Sequence, residues 1–102
     1  MAQGRSQLHD LLMVILGSNR VYFQPTINTR MTYPAITYKR DDARTFHADN
    51  RPFHVKKRYL VTVIDKDPDS VIPDKVAELP TASFERHFTA DDLNHDVYTL
   101  FF

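Results

Sequence analysis

YPAITY, at residues 33–38, and KRYLVTVI, at residues 57–64, are the two stretches that decide the fold of this chain. Both are rich in the β-branched and aromatic residues that pleated sheets favour, and they predict two long strands. Between them lies a basic segment that carries the turn-forming sequence Asp-Asn-Arg-Pro at residues 49–52. The sequence therefore predicts an arm, residues 41–57, that projects from a sheet as a β-hairpin or as a mobile segment, with Phe46 and Phe53 as its anchors.

Length and composition indicate a single domain spanning residues 1–102. Hydrophobic residues make up 42% of the chain, which is enough for a core, and the lack of cysteine excludes a disulfide scaffold and cysteine-based zinc sites. No apolar run approaches the roughly 20 residues that span a membrane, and the longest, residues 11–16, lacks the basic start of a signal peptide. We therefore expect a soluble protein that is not secreted and has no membrane partner.

Charge is distributed unevenly along the chain, although the net charge is zero. Residues 1–38 carry three Arg against one Asp, residues 39–58 carry seven Lys or Arg against three Asp, and residues 59–102 carry three Lys or Arg against nine Asp or Glu. A basic part and an acidic part on one small domain favour head-to-tail contact between copies. The alternative is that the asymmetry has no functional meaning.

Two helices are predicted. The first begins at Ser6, which can cap it, and ends at Gly17, while leucines at positions 8, 11 and 12 share one face. The second is capped by Asp69 or Ser70 and stops at Pro80. The residues before Ser6 are expected to fray.

Further strands are predicted at residues 21–23, 83–88 and 96–102, with a capped turn or one helical turn at 89–93. The central and last strands are apolar on both faces, so both faces need to be covered. This predicts an α+β fold, a small, mostly antiparallel sheet of four to five strands with two helices on one face. A second copy is expected to cover the other face; a sheet that curls over its own face is the alternative.

A possible calcium loop follows the long strand. Asp65, Asp67 and Asp69 match the start of an EF-hand loop. Ser70, however, stands in place of the glycine of that loop, and Val76 in place of its bidentate glutamate. Solvated carboxylates at the start of a helix are therefore the favoured interpretation.

Histidines offer a second candidate metal site. His47 and His54 flank the predicted turn and could converge on a metal ion if the hairpin closes, but surface histidines are the favoured interpretation. His9 is expected on the surface, and His87 and His95 belong to no motif. Because the chain also lacks a phosphate-binding glycine loop and a nucleophile elbow, we expect no enzyme activity, no cofactor and no metal.

The basic segment, residues 39–58, also suits a nucleic acid. Its cations are interleaved with aromatic residues, a combination found where proteins bind single strands and phosphate backbones. A small nucleic-acid-binding module is therefore the alternative function, although the neutral net charge argues against a dedicated binder. A third interpretation is a regulatory or inhibitor protein that blocks a host partner with the same arm.

The predicted elements follow one another in a distinctive order. An amphipathic N-terminal helix precedes Val-Tyr-Phe at residues 21–23, and YPAITY follows. Ala-Asp-Asn at residues 48–50 then precedes a basic segment and the long strand, Asp67 and Pro68 start a helix, and two strands ending in aromatic residues close the chain. In this order and spacing, the sequence resembles the tail terminator (tail-completion) proteins of long-tailed bacteriophages. The resemblance covers residues 8–102, and related head–tail connector proteins share this layout.

The resemblance implies a structural virion protein without catalytic residues. Such proteins form a ring, typically hexameric, that caps the finished tail tube, ends its polymerisation and joins it to the head connector. The expected partners are further copies of the chain, the tail tube protein, head–tail connector proteins and passing DNA. The expected location is the head–tail interface of the virion, after assembly in the host cytoplasm. The residues expected to contact a neighbouring copy, the tail tube or DNA lie on the arm: Arg44, His47, Arg51, His54, Lys56, Lys57 and Arg58.

Overall fold

The computed structural model of the protein describes residues 4–26, 29–48 and 51–102, with the backbone alone described for residues 42–48 and 51–56. One five-stranded sheet has the strand order β1-β2-β3-β5-β4, in which β1 and β2 are parallel and all other neighbours are antiparallel. This confirms the predicted α+β fold. The elements in chain order are α1 (Arg5–Leu16), β1 (Val21–Phe23), β2 (Ala35–Ala48), β3 (Arg51–Asp65), α2 (Ile72–Ala77), β4 (Ser83–Ala90) and β5 (Leu93–Phe101).

The predicted hairpin arm is formed by β2 and β3. These strands pair from Ala35 and Ile64 at one end to Ala48 and Arg51 at the other. Neither β1 nor β5 follows them that far, because β1 pairs with β2 only as far as Tyr38 and the β5 pairing begins beyond the arm. The backbone therefore continues as a two-stranded ribbon. The turn residues 49–50 and the side chains of the two predicted anchors, Phe46 and Phe53, lie outside the described part of the chain.

Both helices lie on one face of the sheet, where they cover the main core. Leu12 of α1 and Val76 of α2 are fully buried in one cluster with inward-facing residues of the strands, including Tyr38, Val61 and Leu100. The two helices also contact each other. The inward residues alternate along β3 and β5 as the sequence predicted, since side chains at successive strand positions point to opposite faces.

The second face of the sheet is less exposed than predicted. Ala35, Ile64 and Val97 point to this face, yet they are at most 5% exposed within a single chain. A second copy is therefore not needed to bury them. The exposed aromatic surface lies instead on β4, where Phe84 and Phe88 are 57% and 37% exposed on opposite faces.

β4 is an edge strand, and all eight of its residues are exposed. It pairs with β5 on one side, and the register shifts between Phe84 and Arg86, where one residue bulges from the ladder. The predicted strand at residues 83–88 is therefore confirmed but two residues too short.

The first helix begins two residues earlier than predicted. Its N-cap is Gly4, whose N–H donates to Oε1 of Gln7 at 2.8 Å, so the proposed cap at Ser6 is wrong and Arg5 is helical rather than frayed. The glutamine performs the role of the third helical residue in a capping box. Gly17 ends the helix in the left-handed conformation, with φ of 77°, and its N–H donates to the carbonyl of Met13, as its type predicts.

The second helix is shorter than predicted, because it ends at Ala77 and not at Pro80. After it, the Leu79 N–H donates to the carbonyl of Val76 in a tighter turn, which takes over before the proline is reached. Its N-cap is Val71, which makes no side-chain cap bond, so the predicted cap at Asp69 or Ser70 is wrong. Pro73 lies in the first turn as predicted, and Oγ of Ser70 accepts the N–H of Ile72 at 3.3 Å.

A two-residue hairpin replaces the capped or helical turn that was predicted at residues 89–93. Ala90 pairs with Leu93, and the two residues between them, Asp91 and Asp92, have φ of 53° and 62°. Such a turn matches the twist of the flanking strands and is normally made by Asn-Gly or Asp-Gly. Two aspartates carry no such signal, so the sequence pattern was misinterpreted there.

Candidate interaction surfaces at the two ends of the sheet

A pocket of about 420 Å³ opens where the arm leaves the sheet. The helix α1 contributes a cation from its first residue, and β1, β2 and β3 contribute the walls. We call it the basic pocket. Its lining residues are Arg5, Phe23, Gln24, Arg40, Lys57 and Tyr59.

Strand geometry explains why these side chains converge. Arg40 pairs directly with Tyr59 across the β2–β3 ladder, so both point to the helix-covered face. Lys57 lies two residues before Tyr59 on β3 and therefore shares that face. Of the described side chains that line the pocket, none is acidic. Three like charges around one cavity repel one another, so an anionic group is the ligand chemistry that the pocket suits.

Arg5 is held in place by two contacts. Its guanidinium carbon lies 4.5 Å from the centroid of the Phe23 ring, a distance typical of a cation–π contact, and its Nη1 donates to the hydroxyl of Tyr38 at 3.1 Å. Arg5 was not among the predicted site residues, because the residues before Ser6 were expected to fray. The signal that could have identified it is Gln7, which stands where a capping box would place it if the helix began at Arg5.

Tyr38 forms the layer beneath the pocket. Its ring packs against Phe23 and Tyr59 at centroid distances of 5.0 and 6.1 Å. Burial raises the pKa of the Tyr38 hydroxyl, an effect that Arg5 partly opposes. The hydroxyl also lies 2.7 Å from Nδ1 of His9, which is half-buried, so the predicted surface position of His9 is wrong.

Two of the predicted arm residues have described side chains, and the structure separates them. Lys57 lines the basic pocket, whereas Arg58 points to the opposite face. There Nη2 of Arg58 lies 2.8 Å from Oδ2 of Asp41, in an ion pair that is about one-third exposed on each side. For the other five, the structure describes the backbone alone, which pairs Arg44 with Lys56. These five are Arg44, His47, Arg51, His54 and Lys56.

The opposite end of the sheet is acidic. β3 finishes there at Asp65, in the same place where β4 turns into β5. Nδ2 of Asn94 donates to the carbonyls of Asp65 and Lys66 at 3.3 and 3.4 Å, and these bonds hold the loop after β3 beside the turn. We call this region the acidic end, and it comprises Asp65, Asp67, Asp69, Asp91 and Asp92.

The loop carboxylates serve the local backbone. Oδ1 of Asp65 accepts the N–H of Asp67 at 3.0 Å, and Oδ1 of Asp67 accepts the N–H of Asp69 at 2.9 Å. These bonds shape the entry to α2. Among the side chains that the structure describes, no group of three His, Asp or Glu is placed to hold a metal ion.

β3 separates the two charged regions by a measurable distance. Lys57 at the basic pocket and Asp65 at the acidic end lie eight positions apart on this strand. With a rise of about 3.3 Å per residue, the separation is roughly 26 Å. The unevenness of charge along the sequence thus becomes a separation of charge in space.

An aromatic cluster lies on the second face near the edge strand. The rings of Phe88 and His95 stack at 4.5 Å, and the guanidinium of Arg86 lies 5.2 Å from the centroid of the Phe88 ring. On the other face, Nδ1 of His87 lies 2.8 Å from Oδ1 of Asp96. The two histidines that had no motif therefore have structural partners.

No helix within the described ranges is both long and apolar enough to cross a lipid bilayer. The resemblance to phage tail terminators is a prediction from the sequence alone. Comparisons with known protein families, with curated proteins and with solved structures find no match to this chain.

Proposed function

We propose that this protein is a structural virion protein, a tail terminator that forms a ring, caps the phage tail tube, ends its polymerisation and joins it to the head connector. The observation that carries the proposal is the separation of charge, with the basic pocket at one end of the sheet and the acidic end at the other. The resemblance in sequence supplies the phage tail as the setting.

Opposite charges at opposite ends suit a heterologous contact, in which one surface of a copy meets a different surface of the next. Such contacts close into a ring when the rotation between copies allows it, and otherwise they produce an open filament. Complementary potentials also speed encounter and fix the orientation of the partners. Copies of one subunit joined in this way can close into a ring around a tube.

The hairpin arm supports the same proposal. Its backbone at residues 42–48 and 51–56 pairs within the ribbon and, among the described strands, with no third one. A two-stranded ribbon is only marginally stable in water. A neighbouring copy, the tube end or the head connector would supply the surface that holds the arm.

The test is the assembly state of the purified protein. We expect electron micrographs and light scattering at low salt to show discrete, hexameric rings, and we expect high salt to dissociate them because it screens exposed charges. A protein that stays monomeric at every salt concentration, both alone and with isolated tail tubes added, would refute the proposal.

Nucleic-acid binding is the second candidate function, and one observation favours it. The basic pocket brings together three cations, Arg5, Arg40 and Lys57, and a cationic lining suits the phosphates of a nucleic acid. The test is binding of a labelled oligonucleotide, which should weaken steeply as salt rises. Arg40→Glu with Lys57→Glu should abolish it. Binding that is absent at low salt would remove this candidate.

A further inference from the structure

We propose that the basic pocket is the receiving surface of the contact between copies, and that the Asp91–Asp92 turn of a second copy enters it. This inference rests on the proposed ring-forming function and names the two surfaces that meet. The ligand of the pocket is therefore a pair of carboxylates presented by a tight hairpin.

The basic pocket is partly preorganised to bind carboxylates. Arg5 is fixed by the Phe23 ring and by the hydroxyl of Tyr38, so one guanidinium is oriented before any ligand arrives. Arg40 and Lys57 are exposed and free to adjust around the ligand. Guanidinium groups bind carboxylates through paired, charge-assisted hydrogen bonds, and an ammonium adds a mobile point charge.

The Asp91–Asp92 turn carries the opposite charge to the pocket. Asp91 and Asp92 are both exposed, and both have positive φ, where asparagine and glycine are favoured over aspartate. Two adjacent carboxylates also repel each other. Residues held in an unfavourable backbone conformation cluster at sites that bind a partner. The two aspartates thus destabilise the turn of an isolated chain, and contact with a cationic surface of a second copy would offset this cost.

The Asp91–Asp92 turn is better suited than the neighbouring loop to enter the pocket of a second copy. In the loop, the carboxylates of Asp65 and Asp67 already accept backbone N–H groups. The turn, in contrast, is a projection only two residues wide between Ala90 and Leu93. Because the turn lies at the end of the sheet opposite the pocket, one copy can offer its turn to a neighbour while it receives another turn in its own pocket.

A nucleic acid is the competing occupant of the pocket. Its phosphates carry the same sign of charge as carboxylates, and they would also be repelled by the acidic end of the same small domain. A chain of zero net charge with both signs separated is complementary to itself, whereas a dedicated binder of nucleic acid is expected to be basic overall. Self-complementarity therefore favours the second copy.

The experiment exchanges the charges of the two surfaces. One variant carries Asp91→Lys and Asp92→Lys, and the other carries Arg40→Glu and Lys57→Glu. Each alone should weaken self-association at least about tenfold, because like charges then face each other in every contact. An equimolar mixture should assemble again, since the lysine turn meets the glutamate pocket and the native turn meets the native pocket.

Two further chains complete the design. The chain that carries all four substitutions restores complementarity with zero net charge, and it should assemble by itself. The matched control, Glu78→Lys with Glu85→Lys, makes the same change of charge as the turn variant at exposed positions outside both surfaces, and it should assemble like the wild type. Thermal melting of every variant establishes that each is folded.

The outcomes separate this inference from the proposed function. If the wild type forms rings and the folded turn variant forms them equally well, the pairing of turn and pocket is wrong while the ring remains. If the pocket variant loses only its affinity for a labelled oligonucleotide, the occupant is a nucleic acid and the inference is overturned. If the wild type forms no oligomer under any condition, the ring-forming function itself is refuted.

Discussion

Replacing Tyr38 with phenylalanine removes one hydroxyl that joins the first helix to the sheet. The tyrosine is 1% exposed, and its hydroxyl lies 2.7 Å from Nδ1 of His9 and 3.1 Å from Nη1 of Arg5. Because Arg5 donates to the hydroxyl, the hydroxyl can donate its own proton to His9. Tyr38→Phe therefore breaks two hydrogen bonds and leaves the shape of the core unchanged.

The magnitude follows from these two bonds, both of which are partly buried. Each contributes a net stabilisation of about 0.5–1.5 kcal/mol, so we expect the free energy of unfolding to fall by about 1–3 kcal/mol. For a domain of this size, each kcal/mol lowers the melting temperature by roughly 4–8 °C. The substitution should also loosen Arg5 and hence the basic pocket.

Urea unfolding followed by circular dichroism measures the loss. The matched control is Tyr98→Phe, which removes a hydroxyl from a tyrosine that is 6% exposed and has no hydrogen bond from its side chain to the described residues. We expect the control to lose less than about 0.5 kcal/mol. Equal losses for the two variants, or none for Tyr38→Phe, would refute the claim that this hydroxyl connects helix and sheet.

Four more predictions follow from the fold and the surfaces. Leu12→Ala should cost on the order of 2–5 kcal/mol in thermal unfolding, because Leu12 is fully buried, and a loss well under 1 kcal/mol would mean that α1 does not cover the core. Asp91→Asn with Asp92→Gly should raise the melting temperature, since these residues favour positive φ, while it weakens assembly measured by sedimentation; a lower melting temperature would contradict the assigned turn. Changing Arg51, Lys56 and Lys57 together to Glu should leave thermal melting unchanged and prevent ring formation in electron micrographs; unchanged rings would exclude the arm from assembly. In alkaline titration, burial raises the pKa of Tyr38 and Tyr98, so the unfolded state loses these protons first and the free energy of unfolding should fall as the pH rises above about 10. The double Phe variant should lose part of this pH dependence, and an identical alkaline profile would argue against the burial of both hydroxyl groups.

The sheet was predictable because its signals are periodic. Alternation along β3 and β5 predicted correctly which residues share a face, although not that the second face is buried within one chain. Gly17 marked the end of α1 through its conformational freedom. The hairpin arm followed from two strong strands around a turn-forming segment. Such signals are local, so they survive without knowledge of tertiary contacts.

The features that the sequence did not predict are of two kinds. Some depend on contacts between residues far apart in the chain, and others use residue types that the local backbone conformation does not favour. The bond between His9 and Tyr38 joins residues 29 positions apart, and the basic pocket gathers Arg5 with Lys57. The hairpin at Asp91 and Asp92 uses residues that are not favoured at positive φ, so a rule based on preference misses it. The arm residues were predicted as a group, yet strand alternation places Lys57 and Arg58 on opposite faces.

The edge strand β4 has a consequence for how growth is limited. A long outer strand with exposed aromatic residues is a template on which further strands can add, and repeated addition leads to fibres. In this chain the bulge between Phe84 and Arg86 breaks the regular row of backbone donors and acceptors, and Glu85 and Arg86 place charges along the same edge. An irregular, charged edge of this kind discourages the addition of further strands, and with it the growth of fibres.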